Sequence, residues 1–208
     1  MTDIDTGARL DERRLELLRR RLHERGLTAG ADEIPNIGEA LTEGQLRMWF
    51  VHAADPSGAL LNVCLSYRLT GDVDVARLRD AVNAVARRHS VLRTTYRTDA
   101  DSELGLPVPT VHPDLTPGWA EHDLTELSER ARQLRLQVIA QREFDRPFDL
   151  GAESPLRITV MRTAADELVL LLVAHHIAWD DGSWEVFFTD LTSAYTGDPL
   201  KPAPRASS

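Results

Sequence analysis

Apolar and polar positions along the chain switch between a helical period and an alternating one. In LDERRLELLRRRLHER, residues 10–25, Leu15, Leu18 and Leu22 recur at helical spacing and Gly26 supplies a stop, which predicts an amphipathic surface helix. Its arginines make docking on an acidic partner the alternative use of the same segment. The stretch TAGADEIPNIGEA that follows is rich in Gly, Ala and Pro and reads as a linker, so the folded domain is expected to begin near Leu41. Thr42 is a fitting N-cap for a short helix, EGQLRMWFVHAA. Val63, Leu65, Tyr67 and Leu69 then alternate in LNVCLSYRLT, the pattern of a half-buried strand.

Val75, Leu78, Val82 and Val85 share one face of a second helix, VDVARLRDAVNAVARRH. Between Thr94 and Asp123, prolines 107, 109, 113 and 117 leave room only for short strands and loops. LTELSERARQLRLQVIAQREF predicts a long helix. PLRITVMRT and DELVLLLVAHHIAW form two extended runs around a turn at Ala164 to Asp166, an antiparallel pair whose second member is apolar enough to lie centrally in a sheet covered on both faces. A last helix, Ser183 to Tyr195, ends before Gly197, and DPLKPAPRASS is a loose tail. The expected class is α/β with a mixed β-sheet covered by helices.

Composition narrows the function classes. The chain has 208 residues, 42% of them hydrophobic and 27% charged, enough for a packed core and unlike a disordered composition. Its net charge of −9 and pI near 5.2 argue against a nucleic-acid groove, which needs clustered positive potential. One cysteine, Cys64, excludes an internal disulfide framework and a multi-thiolate metal site, and its strand position favours a buried hydrophobe over a nucleophile. The polar N-terminus and the lack of a long apolar run suggest a cytoplasmic protein with no membrane segment.

The chemistry-bearing stretch is Ala174-His175-His176-Ile177-Ala178-Trp179-Asp180-Asp181-Gly182-Ser183-Trp184, where an apolar strand runs into two histidines and two aspartates. Adjacent side chains on a strand face opposite ways, so one histidine can meet a cleft while the other packs inside. A buried, neutral imidazole at a strand end can accept or orient a proton; two histidines satisfied by backbone carbonyls are the bland alternative. Zinc fits poorly, because the pair diverges and no thiolate or HExxH spacing adds ligands. Trp49, Phe50, Phe144, Phe148, Trp184, Phe187 and Phe188 are expected in the core. His23, His52, His112 and His122 show no partner pattern.

His175-His176-x-x-x-Asp180 resembles the HHxxxDG signature of nonribosomal peptide synthetase condensation domains, a family related in fold to chloramphenicol acetyltransferase. Leu41 to Phe50 (LTEGQLRMWF) resembles the family's first core motif, Arg88 to Tyr96 (RHSVLRTTY) its RHxxLRTxF motif, and Phe148-Asp149-Leu150 with Pro155-Leu156-Arg157 its FDL...PLxR segment. The resemblance divides the chain into an N-terminal helix and linker at 1–40, the N-terminal lobe of a condensation domain at 41–197, and a flexible tail at 198–208. It implies a chloramphenicol acetyltransferase-like lobe, one half of a two-lobed fold with the substrate tunnel between the lobes.

The same resemblance implies amide formation. An amine on one carrier-bound aminoacyl group attacks the thioester of another, both delivered on phosphopantetheine arms, with no metal or bound cofactor. The implied partners are carrier-protein domains, the C-terminal lobe and downstream synthetase modules. His176 is the implied channel-facing residue, as general base or as a group that positions the amine and stabilises the tetrahedral intermediate. His175 and Asp180 are implied to be architectural. For Asp180 an arginine partner is expected, Arg93 first, with Arg88 and Arg157 as alternatives. His89, within the second motif, is expected to be structural.

The sequence departs from the signature at Asp181, where the family has Gly; Gly182 comes one position later. Asp is among the few residues that tolerate the backbone a Gly there permits, so Asp181 is expected to be a tolerated variant, and its carboxylate could raise the pKa of His176. An interaction lobe without chemistry is one rival function. An epimerisation domain or other acyltransferase of the same superfamily is the other, since Ser183-Trp184 faintly resembles the epimerisation form of the motif.

Overall fold

The computed structural model describes residues 41–55, 57–98 and 106–200. The expected helix at 10–25 and the end of the tail lie outside them. Helix α1 (Glu43–Ala54) opens on a capping box: Thr42 Oγ1 accepts from the Gln45 amide while Gln45 Oε1 accepts from the Thr42 amide. Strand β1 (Asn62–Thr70), helix α2 (Val75–Arg88) and a 3-10 turn at Ser90–Arg93 follow. The proline-broken stretch yields β2 (Thr94–Thr98), β3 (Pro107–Val111) and β4 (Gly118–Asp123); then come α3 (Glu129–Asp145), the hairpin β5 (Leu156–Ala164) and β6 (Glu167–His175), and α4 (Asp181–Thr196).

The main sheet has the order β1-β6-β5-β4, with β6 antiparallel to both neighbours and β4 parallel to β5; β2 and β3 form a separate antiparallel pair. The mixed α/β class expected from the pattern is thus present, with the most apolar run in the sheet interior. Side-chain alternation sorts β6 onto two cores. Leu168, Leu170, Leu172 and Ala174 pack with Leu78, Val82 and Val85 of α2 and Phe187 and Leu191 of α4. Leu171, Val173 and, beyond the strand, Ile177 pack with Tyr96, Ile139 of α3 and Phe148, against which Met48 and Trp49 of α1 lean. Each face of β6 is covered by a different helix pair, which is why the strand needs no polar face.

Four expectations change. The helix expected from Leu124 begins at Glu129, because the Leu124 amide still donates to Arg162 O along the sheet and Asp123 Oδ1 takes the Thr125 amide and hydroxyl in a local turn. Phe50 and Phe144 are exposed, at 45% and 37%, while Phe148 and Phe187 are buried as core residues. Cys64 is exposed too: it lies on the edge strand β1 opposite Val173, but among the described residues no core residue packs over it; partial burial still pushes its thiol up, away from nucleophilic ionisation. The last helix starts at Asp181 rather than Ser183, and Gly197 closes it in the left-handed conformation, φ 88°.

Candidate active site

β6 ends at His175, and the chain turns at once toward α4. Four amides of the turn go to carbonyls: His175 N to Pro155 O at 2.9 Å, His176 N to Leu61 O at 2.9 Å, Ala178 N to His175 O at 3.0 Å and Trp179 N to His176 O at 3.5 Å. The Ile177 amide instead donates to the His175 ring, Nδ1, at 3.1 Å. His175 is fully buried and His176, one residue on, is exposed. The two adjacent histidines therefore occupy different environments, as their parity requires.

The surroundings of His175 are aromatic and cationic. Phe148 packs edge-on at 5.9 Å, and the Arg157 guanidinium stacks 3.8 Å from the Phe148 ring centre. Arg157 is itself buried and donates to the carbonyls of Pro147, Glu143 and Arg146, tying the end of α3 to β5. Burial lowers the Arg157 pKa to about 10. Desolvation, reinforced by His52, His176 and Arg157, pulls the His175 pKa down to about 3, so His175 is neutral near pH 7.

His52 completes the cluster, and no sequence pattern had singled it out. Its Nδ1 lies 3.2 Å from His175 Nε2, with the two rings edge to face at 4.9 Å. Burial lowers its pKa too, against the opposing pull of Asp55 and Asp149. The residues are 123 positions apart in the chain. Only the position of His52 in the last turn of α1, just after the first motif, could have pointed to it.

Asp180 does not pair with Arg93. Its side chain caps α4, accepting from the Ser183 amide at 2.8 Å and hydroxyl at 2.6 Å, while Ser183 Oγ accepts from the Asp180 amide. The hydrogen bonds from Ser183 hold its carboxyl below the ordinary aspartate value. Arg93 donates to the carbonyls of Ala86, Arg87 and His112, joining α2 to the segment after β3. Arg88 donates to Asp190 on α4 at 2.8 Å, and Arg157 is held as above. The physical reason is local: an Asp just before a helix has free N–H groups within reach at no cost in ordering a long arginine.

Asp181 is the first residue of α4 and is exposed, where a carboxylate complements the positive helix end. Gly182 lies within the helix and has no positive φ. The left-handed freedom that a Gly at 181 would offer is therefore not used here. His89 joins Arg88 on Asp190, its Nε2 2.7 Å from the same carboxylate oxygen. An open cavity of about 840 Å³ lies elsewhere, between the starts of β4 and β5 and the end of α3; Arg157 lines it and the histidines do not. Among the described residues no group of His, Cys, Asp and Glu could hold a metal ion, and no helix is long and apolar enough to cross a membrane.

The mixed sheet β1-β6-β5-β4 with helices on both faces is consistent with a chloramphenicol acetyltransferase-like lobe. Residues 39–207 match the family described as Condensation domain, and the chain belongs to that family. Phosphinothricin tripeptide synthetase PhsC of Streptomyces viridochromogenes is 34% identical over 153 residues, 74% of this chain and 14% of that protein. The starter condensation domain of the rhizomide synthetase RzmA shares the fold, with a TM-score of 0.67 at 18% identity over 78% of this chain and 39% of that one. The X-domain from teicoplanin biosynthesis, solved in complex with OxyB, is 29% identical with a TM-score of 0.62, over 86% of this chain and 37% of the other. The chain thus spans well under half the length of the relatives it matches.

Proposed function

We propose that this chain is the N-terminal lobe of a nonribosomal peptide synthetase condensation domain and contributes His176 to amide-bond formation between carrier-bound acyl groups. The observation that carries the proposal is the exposed His176 ring standing next to a fully buried, neutral His175 at the end of the central strand. In the reaction the acceptor amine attacks the thioester carbonyl carbon, a C–N bond forms, the C–S bond breaks, and the proton lost by nitrogen accompanies the released pantetheine thiol. His176 supports this by taking that proton or by holding the amine in line with the carbonyl. Both substrates arrive on phosphopantetheine arms of carrier proteins, and no bound cofactor is required.

The opposite wall of the substrate tunnel belongs to a second lobe, so the 208-residue chain by itself is proposed to condense poorly. Supplying a condensation-domain C-terminal lobe in cis or in trans, with loaded carrier proteins, should give amide product that falls at least about a hundredfold in His176→Ala. Product at full rate from the isolated chain, or an unaffected His176→Ala, refutes the proposal.

A second proposal is an interaction lobe that recruits a partner enzyme, supported by the 29% identity to an X-domain solved with OxyB. Partner capture that is lost on deleting residues 1–30 and indifferent to His176→Ala would favour it.

A further inference from the structure

We infer that His52 is a positioning residue for the histidine turn: it sets the ring hydrogen of His175, and thereby the Ile177 backbone and the placement of His176. An amide can only donate, so the 3.1 Å contact from Ile177 N–H leaves the lone pair on His175 Nδ1 and its single ring hydrogen on Nε2. That hydrogen faces His52 Nδ1 at 3.2 Å, which must accept, so the hydrogen of His52 lies on Nε2. Neither ring has latitude. A hydrogen on His175 Nδ1 would meet the Ile177 N–H, and one on His52 Nδ1 would meet the hydrogen of His175.

The link matters because of what the rest of the turn does. The amides of His175, His176 and Ala178 are taken by carbonyls, whereas that of Ile177, a buried residue, is taken by the His175 side chain. A wrong tautomer therefore orphans a buried N–H one residue beyond His176. Packing prevents the ring from turning away, since His52 and Phe148 both meet it edge-on, at 84° and 82°. The charged or titratable groups bearing on the pair are Asp55 after α1, Asp149 in the segment before β5, Arg157 on β5 and His176 in the turn. Burial lowers both pKa values, at His52 against the pull of the two aspartates, and so favours the neutral rings that the chain of hydrogen bonds requires.

The catalytic consequence rests on the proposed role of His176; the positioning does not. The test compares the 208-residue chain with His52→Asn, whose Oδ1 can replace the Nδ1 acceptor, and His52→Phe, which has none. Side-chain ¹⁵N spectra are expected to find the His175 hydrogen on Nε2 in the native chain and in His52→Asn. Hydrogen exchange at the Ile177 amide is expected to quicken about tenfold or more in His52→Phe and to be restored by His52→Asn. A native His175 hydrogen on Nδ1, unchanged Ile177 exchange in His52→Phe, or equal damage by both variants would overturn the inference. If His52→Phe alters Ile177 while His176→Ala leaves amide formation by the two-lobed assembly untouched, the positioning stands and the catalytic proposal falls.

Discussion

Arg88 at the end of α2 donates through Nε to Asp190 Oδ2 of α4 at 2.8 Å, and both side chains are about nine-tenths removed from solvent. The same oxygen receives His89 Nε2, so one carboxylate fastens the two helices that cover a face of the sheet. Such a carboxylate is costly to remove, because its partners stay buried. Asp190→Ala is expected to lower the unfolding free energy by about 3–5 kcal/mol, measured by urea denaturation. A loss below about 1 kcal/mol would place the pair among surface bridges of little consequence.

Asp180 is an N-cap, and its stability effect should have the size of a cap. Asp180→Ala is expected to cost about 1 kcal/mol, with Asp180→Asn or Asp180→Ser recovering most of it. A loss of about 3–5 kcal/mol that Asn cannot rescue would mean that Asp180 holds a buried charge instead.

The pH dependence of stability follows from His175. Its pKa is near 6.5 when unfolded and about 3 when folded, so between these values the unfolded chain binds the extra proton. Stability is therefore fully present above pH 6.5 and declines as the pH falls toward 3, with a slope of up to ~1.4 kcal/mol per pH unit. The depressed carboxyls of Asp55 and Asp180 add a loss of the same sign below the ordinary aspartate range. Measurements between pH 5.5 and 5.0 isolate the buried imidazoles, His175 and with it His52, whose pKa burial also lowers, because carboxylates are still ionised there. Unfolding without proton uptake there would show that His175 is not held neutral.

Asp181→Gly is expected to leave the fold intact and to destabilise it by about 0.5–1.5 kcal/mol, since it removes an acidic side chain from the first turn of α4 and places a second glycine beside Gly182. Thermal unfolding checks the stability. Amide formation by the two-lobed assembly is expected to stay within a few-fold; a large gain in rate would show that Asp181 restrains His176.

Much of the lobe was legible because its elements are written in local terms. The alternation in β1, the apolar run of β6, the helical stripe of α2 and the caps at Thr42 and Gly197 each depend on neighbours a few residues away. The histidine pair was legible for the same reason, since parity on a strand separates His175 from His176 without knowledge of the rest. The exposure of Phe50, Phe144 and Cys64 was not, because a hydrophobic residue in a regular element is buried only if another element arrives to cover it.

By itself the sequence determined the order of helices and strands, the family and the residues of the histidine turn, all consequences of short-range periodicity and of motifs read in line. Tertiary structure alone decided the partners. It brought His52 to His175 across 123 positions, gave Arg88 to Asp190 rather than to Asp180, and left Asp180 to cap its own helix. Side-chain pairing depends on where distant elements pack and on which donor can be satisfied most cheaply there, and neither quantity is carried by spacing along the chain.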